Sequence, residues 1–343
     1  MNTKLLFAAV ATAASAFMSN AEVPQFALGA DISAVSQYDA KNVKFFNAEG
    51  QETDLYQLMK DYGINGVRLR VWVDPEKTGG FCDPLDVLQM ALCAKEAGMP
   101  VMVDFHYSDW WADPQKQNIP ERWKNMTYEQ MKGALAEHTA STLQMLKKNG
   151  VDVPWVQVGN ETTHGFLWPV GNCDENMAQY AGLTQAGYDA VKSVYPDATV
   201  IVHLDNGFDE ELYNRVFDGL KANGTKWDMI GMSIYPFWSM KDGKVKSEQE
   251  LLDRALRNIK DLKKKYGTDI MVTEIGVDAN NPVPGKAFME KALDVFAHQT
   301  DGACRGAWYW APESDAVLDG YKLGAFSNRR PTVIMDAFKE FKQ

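Results

Sequence analysis

Two glutamates stand where short apolar runs give way to loop-like sequence. Glu161 closes Trp155-Val156-Gln157-Val158-Gly159-Asn160, and Glu274 closes Asp269-Ile270-Met271-Val272-Thr273. Both runs are rich in β-branched residues and read as strands, and in a barrel of parallel strands chemistry is assembled where strands end and loops begin. Two carboxylates facing each other across such a mouth can break a glycosidic bond. A single glutamate in this position is as readily a solvated strand end. The surrounding aromatics favour chemistry: Trp110, Trp111, Trp168 and Trp238 lie in polar, loop-like sequence, and flat apolar rings beside hydrogen-bonding groups suit sugar faces.

Other chemistries fit less well. Asp104-Phe105-His106 and His203-Leu204-Asp205 look superficially like metal-ligand pairs, but there is no His-Glu-x-x-His helix and the chain has only five His. Without a Gly-x-Ser-x-Gly elbow, serine-hydrolase chemistry is disfavoured.

The elements that must position the glutamates alternate along the chain. Thr53-Asp54 precedes a helical pattern of Leu55, Leu58, Met59 and Tyr62, with Gly63 as its stop. Strand Gly66-Val67-Arg68-Leu69-Arg70-Val71-Trp72 follows. Pro84 opens a helix ending at Gly98, which leads into Val101-Met102-Val103-Asp104-Phe105-His106. The first strand is Ala27 to Ser33, and the same rhythm gives strands near 155–161, 199–203, 228–235, 270–274 and 306–310. Eight strands separated by helix-length segments, with no linker and no Gly-rich phosphate turn, predict one (β/α)8 TIM barrel rather than an open doubly wound sheet.

Period-two alternation puts Arg68, Arg70 and Trp72 on one face and Met102, Asp104 and His106 on one face. The opposite, apolar sets suit the helix layer, so the charged sets point into the barrel. A buried arginine needs carboxylate partners. Arg70 and Asp104 therefore imply a polar interior network that shapes the site, and Arg70 is a candidate substrate contact.

Composition narrows the partners. A formal charge of −11 argues against nucleic acid or an anionic membrane, and a neutral polymer is compatible. Residues 1–21 read as a signal peptide: Lys4, then the apolar stretch from Leu5 to Ala11, then small-residue cleavage sites at Ala14-Ser15-Ala16 and Ser19-Asn20-Ala21. No later run is long enough for a membrane span. A soluble, exported, monomeric domain over 22–343 is expected, periplasmic or extracellular. The spacings of Cys82, Cys93, Cys173 and Cys304 suggest neither a disulfide framework nor a zinc site. Cys93 lies in a helical pattern and reads as core.

Taken together, the motifs resemble the arabinogalactan endo-β-1,4-galactanases of glycoside hydrolase family 53. The matching stretches are Gly29-Ala30-Asp31-Ile32-Ser33, Arg68-Leu69-Arg70-Val71-Trp72, and His106 through Pro114. Further on come Val158-Gly159-Asn160-Glu161, Leu167-Trp168-Pro169-Val170-Gly171, His203 through Gly207, Ser233 through Phe237, Thr273-Glu274 and Tyr309-Trp310. They occur in family order over essentially the whole mature chain. The resemblance implies a retaining enzyme acting on β-1,4-galactan, with Glu274 as nucleophile and Glu161 as acid/base. It further implies that Asn160 contacts the sugar 2-hydroxyl, Trp310 forms a platform at the cleavage point, and Tyr235 orients Glu274. His106, Asp109, Trp111, Trp168, His203 and Asp205 become candidate sugar contacts.

The chain departs from the family pattern after strand eight, where Ala311-Pro312-Glu313-Ser314 replaces Glu-Pro-Ala-Trp. The loops after strands seven and eight are short. In some bacterial relatives those loops hold calcium; here no metal or other cofactor is expected. The residues alone reach only hydrolysis of a β-glycan. The rivals are a related barrel acting on mannan or glucan and an exported carbohydrate-binding barrel without activity. Two intact carboxylates disfavour the second.

Overall fold

A computed structural model describes residues 23–342; the leader read at 1–21 lies outside the described residues. Eight parallel strands close into a barrel in sequence order: β1 (Ala27–Asp31), β2 (Gly66–Val71), β3 (Val101–Phe105), β4 (Trp155–Val158), β5 (Thr199–Leu204), β6 (Met229–Ile234), β7 (Asp269–Ile275) and β8 (Cys304–Trp310). β1 pairs with β8 to complete the ring. The expected (β/α)8 barrel is the fold observed.

Between the strands run helices α1 (Leu55–Asp61), α2 (Pro84–Glu96), α3 (Tyr128–Lys148), α4 (Cys173–Val194), α5 (Glu210–Ala222), α6 (Glu248–Tyr266) and α7 (Pro282–His298), with the short α8 (Asp336–Lys339) after β8. Their starts are written in the sequence. Asp54 caps α1 by accepting from Gln57 N–H, Asp83 caps α2 ahead of Pro84, and Thr127 with Gln130 forms a reciprocal capping box on α3. All four cysteines are free. Cys93 is on α2 as read, but it faces solvent. Its periodicity placed it on the helix without fixing the face.

The barrel interior has two levels. The lower one is apolar: Ala27, Met102, Trp155, Ile201, Met229, Met271 and Trp308 form a separate buried cluster. A Cβ on Gly29 would stand 1.9 Å from the Trp308 ring, so the bare backbone of β1 is what lets this indole fill the barrel. Further along toward the strand ends, β1 to β6 carry Asp31, Arg68, Asp104, Gln157, His203 and Ser233, all buried. The apolar level excludes water from below, so the polar level must satisfy its own charges and hydrogen bonds.

Candidate active site

The interior network is centred on Arg68 rather than Arg70. Arg68 is fully buried; its Nε donates to Gln157 Oε1 (2.7 Å), Nη1 to Asp31 Oδ2 (2.7 Å), and Nη2 to Asp104 Oδ2 (2.9 Å) and Asn160 Oδ1 (2.8 Å). Burial works against its charge, but Asp104, Glu274 and Asp31 outweigh that and hold the guanidinium well above its ordinary pKa. Burial likewise pushes Asp104 up, and Arg68 and His106 overcome it, leaving the carboxyl below its usual range. Arg70, the expected partner of Asp104, instead packs its guanidinium over Trp111 (4.1 Å) and Trp72 (4.7 Å). Alternation assigned both arginines inward, but not their order of depth.

Glu274 reaches this network through a break in the β ladder. On β6 and β7, Met232 pairs with Val272 but Ser233 pairs with Glu274, leaving Thr273 as an extra residue. Met271 points inward, so strict alternation would send Glu274 out to the helix layer. The bulge turns it into the barrel. There Tyr235 Oη donates to Glu274 Oε2 (2.9 Å), and Arg68 Nη2 lies 2.9 Å from Oε1. Both hydrogens on that Nη2 are directed at Asp104 and Asn160. The contact therefore stabilises negative charge on Oε1 without a directed hydrogen bond, and Oε1 keeps its lone pairs.

Glu161 is placed differently. β4 stops at Val158, three residues short of the predicted end, and Glu161 lies in a turn with φ +45°, preceded by Gly159 at φ +88°. A Cβ at Gly159 would meet the Thr162 side chain at 2.5 Å. The left-handed conformation at Glu161 is uncommon for a side-chain-bearing residue; it is held by Thr162 N–H donating to His203 O (2.8 Å) and by Glu161 N–H facing His203 Nδ1 (3.4 Å). The carboxyl receives one hydrogen bond, from Ser233 Oγ to Oε1 (2.6 Å). Ser233 is also the register partner of Glu274, so one β6 residue brings both glutamates to the same wall.

The two carboxyls have unequal surroundings. Burial pushes Glu161 well above its ordinary value, with the charges of Glu274 and Asp205 adding to the effect and Ser233 opposing it. Burial also raises Glu274, against Arg68 and Tyr235, to about 7. Glu274 has a cation and a phenol to receive its charge; Glu161 has one hydroxyl. The first proton to leave the pair therefore leaves Glu274, and the remaining proton stays on Glu161.

A cleft of about 580 Å³ opens over the pair. Of the candidate sugar contacts, His106, Trp111, Asn160, Asp205, Tyr235 and Trp310 line it, together with Trp238 and Tyr321. Both ring nitrogens of His106 are occupied, Nε2 by Asp104 (3.0 Å) and Nδ1 by Ala112 N–H (3.1 Å), so it offers the cleft only a ring surface. Trp310 meets Trp111 and Tyr321 edge to face at 5.6 and 4.7 Å. Arg70 lines an adjoining cavity of about 570 Å³ that shares Trp111 and Trp310.

Three expected sugar contacts lie elsewhere. Asp109 accepts from Glu121 N–H (2.8 Å) and orders a surface turn. Trp168 bonds to His164 O and Gln117 O, outside the cleft wall. His203 is fully buried behind Asn160 and Ser233. Proximity to the glutamates in sequence motifs does not distinguish a wall residue from one behind the wall. Ser233, Arg68, Gln157 and Tyr321 were not among the expected site residues. For the first three, inward alternation on their strands was the available signal; Tyr321 comes from the irregular stretch after β8 and had none.

Among the described residues no three His, Cys, Asp or Glu side chains gather as a metal-binding group, and no helix is long and apolar enough to cross a membrane. The family model Glycosyl hydrolase family 53 matches residues 27–292. The chain belongs to this family. It is 35% identical to an endo-beta-1,4-galactanase of Bacillus subtilis over 73% of this chain, spanning 56% of that protein. It is 31% identical to a probable arabinogalactan endo-beta-1,4-galactanase A of Neosartorya fischeri, covering 83% of each chain. Among solved structures, one described with two fungal beta-1,4-galactanases superposes with a TM-score of 0.82 at 26% identity, over 93% of this chain and all of that one. The family 53 match runs from β1 into α7 and so includes both glutamates.

Proposed function

We propose that this protein is a retaining endo-β-1,4-galactanase that cuts the galactan side chains of pectin. The carrying observation is the asymmetry of the carboxyl pair in a family 53 barrel: one is held by Arg68 and Tyr235, the other by a single serine hydroxyl. Glu274 Oε1 attacks the anomeric carbon while Glu161 gives its proton to the departing glycosidic oxygen. A glycosyl-enzyme ester forms at Glu274, neutralising its charge. Glu161, now ionised, takes a proton from water, the hydroxide oxygen displaces Glu274, and the sugar leaves with its original configuration.

Asn160 keeps one hydrogen on Nδ2 and one lone pair on Oδ1 beyond its bonds to Ala112 O and Arg68. These suit a sugar 2-hydroxyl. Trp310 supplies a platform at the cleavage point, and Trp111, braced from behind by Arg70, extends it. Asp205 and Trp238 serve the opposite side of the cleft. A polymer of galactose is met outside the cytoplasm, so export by the leader at 1–21, and action as a monomer, belong to the same proposal.

Reducing-sugar release from galactan, mannan and cellulose in parallel tests it. Release from galactan alone is expected. Comparable release from mannan or cellulose contradicts the substrate, and none from any of them contradicts the activity.

A further inference from the structure

Behind Glu161 lies a chain of buried hydrogen bonds whose direction is fixed by donors that have no alternative. Arg68 can only donate. Gln157 therefore turns its Oε1 to Arg68 Nε (2.7 Å), which aims its amide nitrogen at Asp104 Oδ1 (3.2 Å) and His203 Nδ1 (3.0 Å). Asn160 likewise gives its oxygen to Arg68 and its nitrogen to Ala112 O (2.9 Å).

His203 Nδ1 thus faces two donors, Gln157 Nε2–H and Glu161 backbone N–H (3.4 Å), and one acceptor, Asn160 Oδ1 (3.1 Å), which already receives Arg68. The ring satisfies this setting with its lone pair on Nδ1 and its hydrogen on Nε2. That hydrogen points at Ser233 Oγ (2.9 Å), and the single hydroxyl hydrogen of Ser233 must then go to Glu161 Oε1 (2.6 Å). A proton on Oε1 would need Ser233 to donate to His203 Nε2, and so would need a hydrogen on Nδ1 opposed by both donors.

We propose that His203 and Ser233 are positioning residues that confine the acid proton of Glu161 to Oε2, the oxygen for which the described residues supply no hydrogen-bond donor or acceptor. This rests on the reading of Glu161 as the acid/base. A carboxyl terminus otherwise turns over a broad torsional range, and a general acid is effective only with its proton within reach of the leaving oxygen. His203 stays neutral because burial, then Arg68, hold its pKa well below the ordinary value. The donor chain therefore keeps its direction across the working pH range.

The test compares wild type, Ser233→Ala and Ser233→Thr on galactan and on a 2,4-dinitrophenyl β-galactobioside, whose leaving group departs without a proton. For Ser233→Ala the loss of kcat/KM on galactan is expected to exceed that on the activated substrate by about tenfold, with Ser233→Thr restoring most of it. The basic limb of the galactan profile should also move to higher pH, because a lost donor to the carboxylate disfavours its charged form. Equal losses on both substrates, or an unmoved limb, overturn the proposal. Independently of any variant, long-range 15N–1H correlation spectra of the wild type report the tautomer. An Nε2–H ring at His203 is expected, and an Nδ1–H ring overturns the proposal even if Ser233→Ala does not fold. If Glu161→Gln cleaves galactan as well as wild type, the acid/base reading itself fails instead.

Discussion

Replacing Glu274 with glutamine should stabilise the protein at neutral pH, by an amount that the site's electrostatics set. Glu274 titrates at about 7 instead of 4.5 because burial outweighs Arg68 and Tyr235. Between those values the folded protein holds a proton that the unfolded chain has released, so stability is fully present below about 4.5 and falls as pH rises through about 7. At about 1.4 kcal/mol per pH unit, ionising Glu274 costs the fold about 3 kcal/mol by pH 8. Glutamine mimics the protonated form: with its oxygen toward Arg68 and its amide N–H toward the Tyr235 oxygen, it leaves Arg68 its bonds to Asp31 and Asp104. Glu274→Gln should therefore match wild type near pH 4 and exceed it by about 3 kcal/mol at pH 8, a Tm gain of roughly 5 °C for a chain of this size. Differential scanning calorimetry from pH 4 to 9 measures both. A Glu274→Gln protein that melts below wild type at pH 8, or that keeps the wild-type slope, would show that the carboxylate is not under electrostatic strain.

Three further outcomes follow from the same site. Because Glu274 must be ionised and Glu161 protonated, kcat/KM on galactan should rise with pH through about 7 and fall at higher pH as Glu161 loses its proton; a rate falling steadily from pH 5 refutes the assignment. Glu161→Ala should lose at least about a hundredfold on galactan but much less in the glycosylation of an activated aryl galactoside, and azide should restore turnover; equal losses with no azide effect contradict it. An open cleft with Trp111, Trp238 and Trp310 along its walls accepts internal polymer segments, so viscosity should fall before much reducing sugar appears. Galactose as the sole early product would mean an exo-acting pocket.

The barrel and the carboxyl pair were legible in the sequence because each rests on a local pattern. Strands alternate or run apolar, helices carry starts such as Asp54 and Pro84, and both glutamates terminate strand-like runs. What escaped was set by three-dimensional contact. Arg70 and Arg68 occupy equivalent faces of β2, and only the barrel shows that Arg68 meets Asp31, Asp104 and Glu274 while Arg70 stacks on Trp111 and Trp72. The inward turn of Glu274 depends on the extra residue Thr273, and no periodic reading locates such a bulge. His203 and Asp109 carry side chains that suit sugars, yet one is spent on Ser233 and Gln157 and the other on a backbone N–H. Residue type predicts the capacity to hydrogen-bond, not which partner uses it.

The division of labour between the two glutamates is tested most directly by trapping the intermediate. A 2-deoxy-2-fluoro-β-galactobiosyl fluoride slows both steps, but its leaving group still departs, so the glycosyl-enzyme should accumulate. Intact mass followed by peptide mapping should show one disaccharide adduct, on the peptide containing Glu274 and attached through its carboxyl. An adduct on Glu161, or steady hydrolysis to a product of inverted configuration with no adduct, would contradict the account.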